Sequence, residues 1–242
     1  KFIDGYTKPK KDTDNSGGGT GGGGGSKTSK SSSVSVGSDY TAPQITVDDP
    51  TPLFADIAGD RWSYKALAYL TAKGVTGGYE DGSFRPENSI TRAEFVKIAS
   101  VAFGYIYEEK EDDESEFTVP DVSEADWFYP YVRGAFEGKI ATGDNDGCFN
   151  PNDRISRQEA AAIIFRIAAA KGVDLNGNVN INIKDISDIS DWAYTAVIQL
   201  VKGGIISGYG DGAFRPNGDI SREEAAKLIY ELLYRVNGRD GK

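Results

Sequence analysis

The 242-residue sequence contains no histidine, no methionine and a single cysteine, Cys148. Without imidazole it cannot build a histidine-based serine or cysteine triad, and most zinc and non-haem iron sites are excluded as well. One cysteine cannot form an intrachain disulfide framework. The Asp- and Asn-rich segment 174–182 lacks the glycine that a calcium loop needs, because Val179 stands at that position. We therefore expect no metal and no cofactor.

The sequence is also poor in basic charge and in long apolar runs. Its net charge is −10 and its pI is about 4.7. Proteins that bind nucleic acid through its phosphates usually present a basic surface, so a nucleic-acid partner is disfavoured. No stretch approaches the roughly 18 consecutive apolar residues of a transmembrane helix, so no membrane span is expected.

Residues 1–50 differ in composition from the rest. Within them, residues 17–38 contain nine glycines and seven serines, and such a segment cannot offset its ordering entropy by burial. We predict a disordered tether, although composition alone also fits a cloning linker. A tether is useful only if something is attached at each end, so we expect a cargo domain on the N-terminal side.

The remainder of the chain is a threefold repeat with a period of 65 residues. Trp62, Trp127 and Trp192 are separated by this interval, and the register continues through the following loops. Three segments then follow in step: ITRAE at 90–94, ISRQE at 155–159 and ISREE at 220–224. We place the repeats at 51–110, 117–173 and 181–236.

Each repeat has the pattern of a helix-loop-helix unit. An amphipathic helix begins near the tryptophan, a glycine-rich loop follows, and a second helix starts at the ITRAE-type segment with an apolar stripe. Two helices and a loop cannot bury a core alone. We therefore predict a mainly α domain in which three units pack around a common axis with pseudo-threefold symmetry.

The ITRAE-type segments match the capping box, in which a hydroxyl and a glutamate three residues later cap a helix N-terminus reciprocally. The predicted capping pairs are Thr91 with Glu94, Ser156 with Glu159, and Ser221 with Glu224.

An arginine occupies the first helical position in every repeat, as Arg92, Arg157 and Arg222. A cation there opposes the helix dipole, so helix stability does not explain it, and replacement by alanine should leave stability unchanged or slightly raised. A guanidinium beside unpaired helix N–H groups forms a good anion site. The alternative is that each arginine pairs with an internal carboxylate, for which the candidates are Asp56, Asp121 and Asp185.

Two other repeated residue types have two interpretations each. The tryptophans are either core anchors or, with one face exposed, platforms for sugar stacking. The glycines that open the loops either serve the turn or allow a ligand close to the main chain. These glycines are Gly78, Gly143 and Gly208.

The combined pattern resembles the S-layer homology family, over residues 51–236. The resemblance implies a three-pronged helical spindle in a secreted, cell-surface protein. It also implies non-covalent binding of an anionic cell-wall polysaccharide, typically one with pyruvate ketals, in grooves between the prongs. The carboxylate-binding role falls by position to Arg92, Arg157 and Arg222. We add the three tryptophans, the three loop glycines and the aspartates Asp56, Asp121 and Asp185 to the candidate glycan-binding set.

The second repeat departs from the others, with Asp144 in place of a tyrosine, Asn150 in place of an arginine, and Val119 where the first repeat has the aromatic Phe54. These changes predict a weaker groove there. Two rival functions remain open: a wall-glycan enzyme using a carboxylate pair, and a self-assembling S-layer module. Because nearly every repeated acid already has a capping or turn role, we expect no catalytic site in residues 51–242.

Overall fold

The computed structural model describes residues 53–109, 116–177 and 181–238. The predicted tether lies outside these residues. Within them the fold is mainly α, as predicted, with isolated β-bridges but no strand. The six α-helices are α1 (Tyr64–Ala72), α2 (Arg92–Phe103), α3 (Tyr129–Glu137), α4 (Arg157–Ala170), α5 (Asp191–Lys202) and α6 (Arg222–Asn237), with a short 3₁₀ helix at Ile186–Asp188.

The second helix of every repeat begins at a complete capping box, which confirms the sequence prediction. Thr91 accepts a hydrogen bond from the Glu94 N–H, and the Glu94 carboxylate accepts one from the Thr91 N–H. Ser156 with Glu159 and Ser221 with Glu224 repeat this geometry. These helices also carry the predicted apolar stripe, all of which is buried except Ala102.

In the described residues, every pair of helices in contact joins two different repeats. The first helix of each repeat packs on the second helix of the preceding repeat: α3 on α2, α5 on α4, and α1 on α6. The last of these pairs joins the beginning of the fold to its end. The three pairs form three prongs, so each prong is built from two different repeats.

The three prongs meet where α2, α4 and α6 begin. Ile90 donates its N–H to the carbonyl of Ile220, Ile220 donates to Ile155, and Ile155 donates to Ile90, which closes a ring of backbone hydrogen bonds. All three isoleucine side chains are fully buried, and α2, α4 and α6 contact one another. This ring lies on the pseudo-threefold axis and gives every repeat the same two neighbours.

The junction between the first and last repeats carries an additional ion pair. Arg61 donates from Nε and Nη2 to the Glu223 carboxylate, each at 2.7 Å, and the buried Ser63 hydroxyl donates to the same group at 2.6 Å. The repeat register places Asp126 and Asp191 at the positions equivalent to Arg61. We call Arg61, Ser63 and Glu223 the closing clasp, because they join α1 to α6 where the chain itself makes no connection.

Candidate functional site

Two grooves lie between the prongs, and each is lined by all three repeats. The first has a volume of about 660 Å³ and combines Arg92, the loop at 141–145 and Trp192. The second has a volume of about 970 Å³ and combines Arg157, the loop at 204–209 and Trp62. In both, the arginine comes from one repeat, the loop from the next repeat and the tryptophan from the remaining one. The repeat register assigns Arg222, Gly78 and Trp127 to a third groove of the same kind.

The tryptophans are not core anchors. Trp62, Trp127 and Trp192 keep 54%, 51% and 58% of their surface exposed. The core interpretation of these residues was therefore wrong, because the adjacent helix buries other positions, such as Leu67 and Leu70 in α1. A half-exposed indole at a groove edge has the flat apolar face that sugar stacking requires.

The helix N-termini do not offer free N–H groups to an anion, contrary to the expectation from the sequence. The first four donors of each of α2, α4 and α6 are satisfied by the helix's own capping box and by two carbonyls of the following repeat. In α2 these donors reach, in order along the chain, the Glu94 carboxylate, the Asp153 carbonyl, the Pro151 carbonyl and the Thr91 hydroxyl. These backbone N–H groups are therefore not available to an anion, and any donor for one would have to be a side chain.

The arginine side chains reach sideways into the next repeat. Arg92 donates from Nε to the Phe149 carbonyl at 2.8 Å and forms an ion pair with Glu159 at 2.7 Å. Arg157 uses all three of its nitrogens, on the Phe214 carbonyl, Glu224 and the Ser207 carbonyl. The carboxylate partners are thus capping-box glutamates and not the aspartates considered from the sequence.

Burial of these arginines changes the effect that we expect from their replacement, from unchanged stability to a loss of stability. Arg157 and Arg222 are 5% and 2% exposed, and Arg222 donates to the carbonyls of Phe84 and Gly77 in the first repeat. The dipole argument considered only the helix that carries the arginine. The bonds across the repeat boundary decide the outcome instead.

The three aspartates organise the loops. Asp56 accepts the backbone N–H groups of Phe84 and Arg85 at 2.7 Å each. Asp121 and Asp185 do the same in the second and third repeats. These bonds hold the residue before each loop proline at a left-handed φ of 57–58°, a conformation that non-glycine residues seldom adopt. None of the three aspartates lines the two grooves, and their assignment to the glycan remains untested.

Replacing Asp185 with asparagine tests this loop-organising role. Burial alone raises the pKa of Asp185, but hydrogen bonds from the Phe214 and Arg215 N–H groups lower it overall. Because the folded pKa is depressed, the stabilisation is present above the ordinary aspartate pKa and is lost as pH falls through the folded value. We expect Asp185→Asn to lower the free energy of unfolding by roughly 1–2 kcal/mol at pH 7, with the difference shrinking below about pH 4.

Urea unfolding at a series of pH values measures this difference. The control is Asp188→Asn, at an exposed aspartate of the same segment, which should change stability by less than about 0.5 kcal/mol. An effect of Asp185→Asn that persists unchanged at pH 3 would contradict the electrostatic explanation.

The loop glycines are required by the loops themselves. A Cβ on Gly78 would lie 2.7 Å from the Ser83 carbonyl oxygen, one on Gly143 would lie 2.8 Å from the Gly147 backbone, and one on Gly208 would lie 2.9 Å from the Ala213 carbonyl oxygen. Gly143 and Gly208 also line their grooves. The turn interpretation therefore explains these glycines without a ligand.

Sequence reasoning noted the tyrosine that the second repeat lacks, but it did not predict that this tyrosine lies beside the repeated arginine in the other two loops. Arg157 and Arg215 lie 4.5 and 4.2 Å from the centre of the Tyr209 ring. Arg222 and Arg85 flank Tyr79 in the same way. Burial and a hydrogen bond to Glu224 raise the pKa of Tyr209 to about 12, so the ring stays neutral. The shared Gly-Tyr loop sequence was the available signal.

In the second repeat, Asp144 and Asn150 take the places of the tyrosine and of the arginine that precedes the loop proline. Asn150 donates from its side chain to Asp144 at 2.7 Å, and the N–H groups of Asp146 and Cys148 donate to the same carboxylate. The side-chain bond from Asn150, followed by the Cys148 N–H, lowers the pKa of Asp144. Asp144 is therefore ionised, with its oxygens already bonded within the loop.

No helix in the described part of the chain is both long and apolar enough to cross a membrane.

Three helix-loop-helix units close into one three-pronged body, and composite grooves lie between the prongs. This is the architecture of a modular binding domain. Residues 53–96, 120–161 and 182–226 match the sequence profile of the S-layer homology domain. The chain belongs to the S-layer homology domain family. The family's module anchors proteins to the cell surface and is not catalytic, and members are secreted cell-surface proteins.

Several relatives share the repeat region. The chain is 34% identical to a cellulosome-anchoring protein of Acetivibrio thermocellus, over 66% of this chain and 36% of the relative. It is 33% identical to an amylopullulanase of Thermoanaerobacterium thermosulfurigenes, over 74% of this chain and 9% of the relative. It is 28% identical to the S-layer protein sap of Bacillus anthracis, over 73% of this chain and 20% of the relative. The chain therefore corresponds to a minor part of each relative's length.

Proposed function

We propose that this chain anchors a secreted protein to the bacterial cell wall by binding an anionic wall polysaccharide in the grooves between its prongs. The single observation that carries the proposal is the composition of the grooves. Each combines a half-exposed tryptophan with a guanidinium, and the two come from different repeats. An indole face suits the apolar face of a sugar ring, and a guanidinium suits a carboxylate such as that of a pyruvate ketal.

The repeat closure supports a binding role for the whole domain. Because every groove draws residues from all three repeats, a groove exists only when the domain is closed. The sites are thus held by rigid helices and by loops whose backbones are bonded to buried groups, which limits the ordering cost of binding.

The relatives' names support a cargo outside these repeats. Of the three relatives described above, one is named as an enzyme, an amylopullulanase, and another as a cellulosome-anchoring protein. We propose that catalytic activity, where the parent protein has any, resides in a cargo domain on the N-terminal side of residues 1–52.

Co-sedimentation with purified sacculi of the producing bacterium tests the anchoring role. The chain should sediment with intact sacculi and stay in solution when the sacculi have been stripped of their secondary polysaccharide. Trp62→Ala, Trp127→Ala and Trp192→Ala should each leave unfolding nearly unchanged. At least one should weaken binding by about tenfold or more, since a stacked aromatic at a binding hot spot contributes 2 kcal/mol or more.

The matched control is Tyr234→Ala. Tyr234 is 60% exposed and does not line either groove, so its removal should leave binding unchanged. Equal binding to intact and stripped sacculi would overturn the proposal. Formation of ordered arrays without any wall component would favour the self-assembly function instead.

A further inference from the structure

The two grooves have opposite charge at two equivalent positions. In the first groove Arg154 and Arg166 line the walls. A shift of 65 residues places Asp219 and Glu231 at the same positions, and both line the second groove. We call the groove of Arg92, Arg154, Arg166 and Trp192 the basic groove, and the groove of Arg157, Asp219, Glu231 and Trp62 the acidic groove.

Resting on the proposed function, we infer that the basic groove is the site for the polysaccharide carboxylate, with Arg154 and Arg166 as its specificity-determining residues, and that the acidic groove excludes that group. This assignment is opposite to the weaker-groove prediction for the second repeat, which considered Asp144, Asn150 and Val119 but not the two arginines.

The arginines of the basic groove have hydrogen-bond donors available. Arg154 is exposed, and its one side-chain bond to the described residues runs from Nη1 to the Ser89 carbonyl. Arg166 bonds through Nη1 to the Ile140 carbonyl at 3.3 Å. Neither forms an ion pair with a carboxylate of the described residues. Arg92 is engaged through Nε and Nη1, which leaves its Nη2. Three guanidiniums thus line one cavity of about 660 Å³.

Partial burial makes Arg166 the cation that gains most from an incoming anion. Burial lowers the pKa of Arg166, whereas hydrogen bonds from Arg61 to Glu223 raise the pKa of that arginine. The difference arises because Arg61 has a carboxylate partner. A ligand carboxylate beside Arg166 would supply the missing charge compensation, and the guanidinium fork would bind it in bidentate geometry.

The negative groups of the basic groove are already hydrogen-bonded within the protein or are exposed to solvent. Glu159 is paired with Arg92 and accepts the Ser156 N–H. Asp144 accepts three hydrogen bonds within its own loop, and Asp153 is exposed. The three arginines therefore face a ligand with less opposition than the formal count of charges suggests.

In the acidic groove, acidic residues outnumber cationic ones. Its lining includes two cations, Arg157 and Lys227, against five acidic residues. All three nitrogens of Arg157 are bonded within the protein, and Lys227 is paired with Glu231. Both cations of this groove therefore already have partners in the protein, and Asp219 would repel a carboxylate.

A charge-exchange experiment separates the grooves. The probe is the soluble polysaccharide extracted from sacculi of the producing bacterium, and its comparison is the same polysaccharide with carboxyl groups reduced to alcohols. The double variant Arg154→Asp, Arg166→Glu carries at these positions the residue types that the third repeat has there. We expect this double variant to lose at least 30-fold in affinity by calorimetry, and the parent to bind the reduced polysaccharide equally poorly.

The reciprocal variant and a charge control complete the set. Asp219→Arg with Glu231→Arg should add a second binding site without removing the first. Lys65→Glu with Lys171→Glu changes the net charge by the same amount as Arg154→Asp with Arg166→Glu. Since neither lysine lines the two grooves, the double lysine variant should bind the polysaccharide as the parent does. Circular dichroism checks that each variant is folded.

Tryptophan fluorescence gives a second measurement that does not depend on these substitutions. With Trp62→Phe and Trp127→Phe, Trp192 alone reports the basic groove. With Trp127→Phe and Trp192→Phe, Trp62 alone reports the acidic groove. We expect the polysaccharide to change the emission of Trp192 and not that of Trp62.

The outcomes distinguish this inference from the proposed function. If the parent binds neither sacculi nor polysaccharide, the proposed function fails. If the parent binds, but the charge exchange at Arg154 and Arg166 has no effect or Trp62 responds in place of Trp192, only the groove assignment is overturned. Equal binding of the reduced polysaccharide would overturn the carboxylate as the recognised group.

Discussion

Alanine at position 157 or 222 is expected to lower the free energy of unfolding by roughly 2–4 kcal/mol. Each guanidinium is buried and donates to carbonyls of the next repeat, and Arg157 also pairs with Glu224. Removing the side chain leaves buried acceptors without donors and a cavity at the repeat boundary. Urea-induced unfolding followed by far-UV circular dichroism measures the loss.

The control for this result is Arg154→Ala. Its side chain is exposed and makes a single bond to a backbone carbonyl, so stability should change by no more than about 0.5 kcal/mol. Arg92→Ala should fall between the two, because its side chain keeps 13% exposure. Unchanged or increased stability of the Arg157 and Arg222 variants would restore the dipole explanation.

Truncation after residue 172 is expected to abolish cooperative folding. The shortened chain lacks α5 and α6, so α4 and α1 each lose the helix that covers their apolar face. The isoleucine ring is also broken, because Ile220 is missing. We expect a broad urea transition, strong binding of a hydrophobic dye and association in sedimentation velocity.

A chain ending at residue 238 serves as the comparison, since it keeps all six helices. It should unfold in one sharp transition as a monomer. A two-repeat chain that also unfolded sharply as a monomer would mean that a helix-loop-helix pair can cover its own core. The closed arrangement of α1 on α6 would then contribute little to stability.

The helices were predicted well from the sequence, because residues close together in the chain determine where each helix begins and which face it buries. The capping boxes at Thr91, Ser156 and Ser221 define where the second helices begin, and apolar spacing defines the face that is buried. The exchange of helices between repeats was not predictable in this way. A 65-residue period gives the same apolar stripe whether α1 packs on α2 or on α6.

In the candidate site too, the local features could be predicted from the sequence, and the contacts between repeats could not. The repeated arginines were selected because the stability of their own helices does not explain them, yet their hydrogen-bond partners lie 50 to 145 residues away. Spacing along the chain carries no information about such contacts. Arg154 and Arg166 were overlooked because they break the repeat, and attention to the repeat favours the positions that recur.

The closing clasp determines how the domain would bear a mechanical load. A pull transmitted along residues 1–52 enters the fold at its N-terminal end, immediately before α1. Among the first tertiary contacts to resist it are the bonds of Asp56 to the loop at Phe84 and Arg85. The next are those of Arg61 with Glu223 and of α1 on α6. Peeling α1 away would uncover the acidic groove at Trp62 before it disturbed Arg92, Arg154 and Trp192. Under tension, the basic groove would therefore keep its shape longer than the contact of α1 with α6, which receives the force.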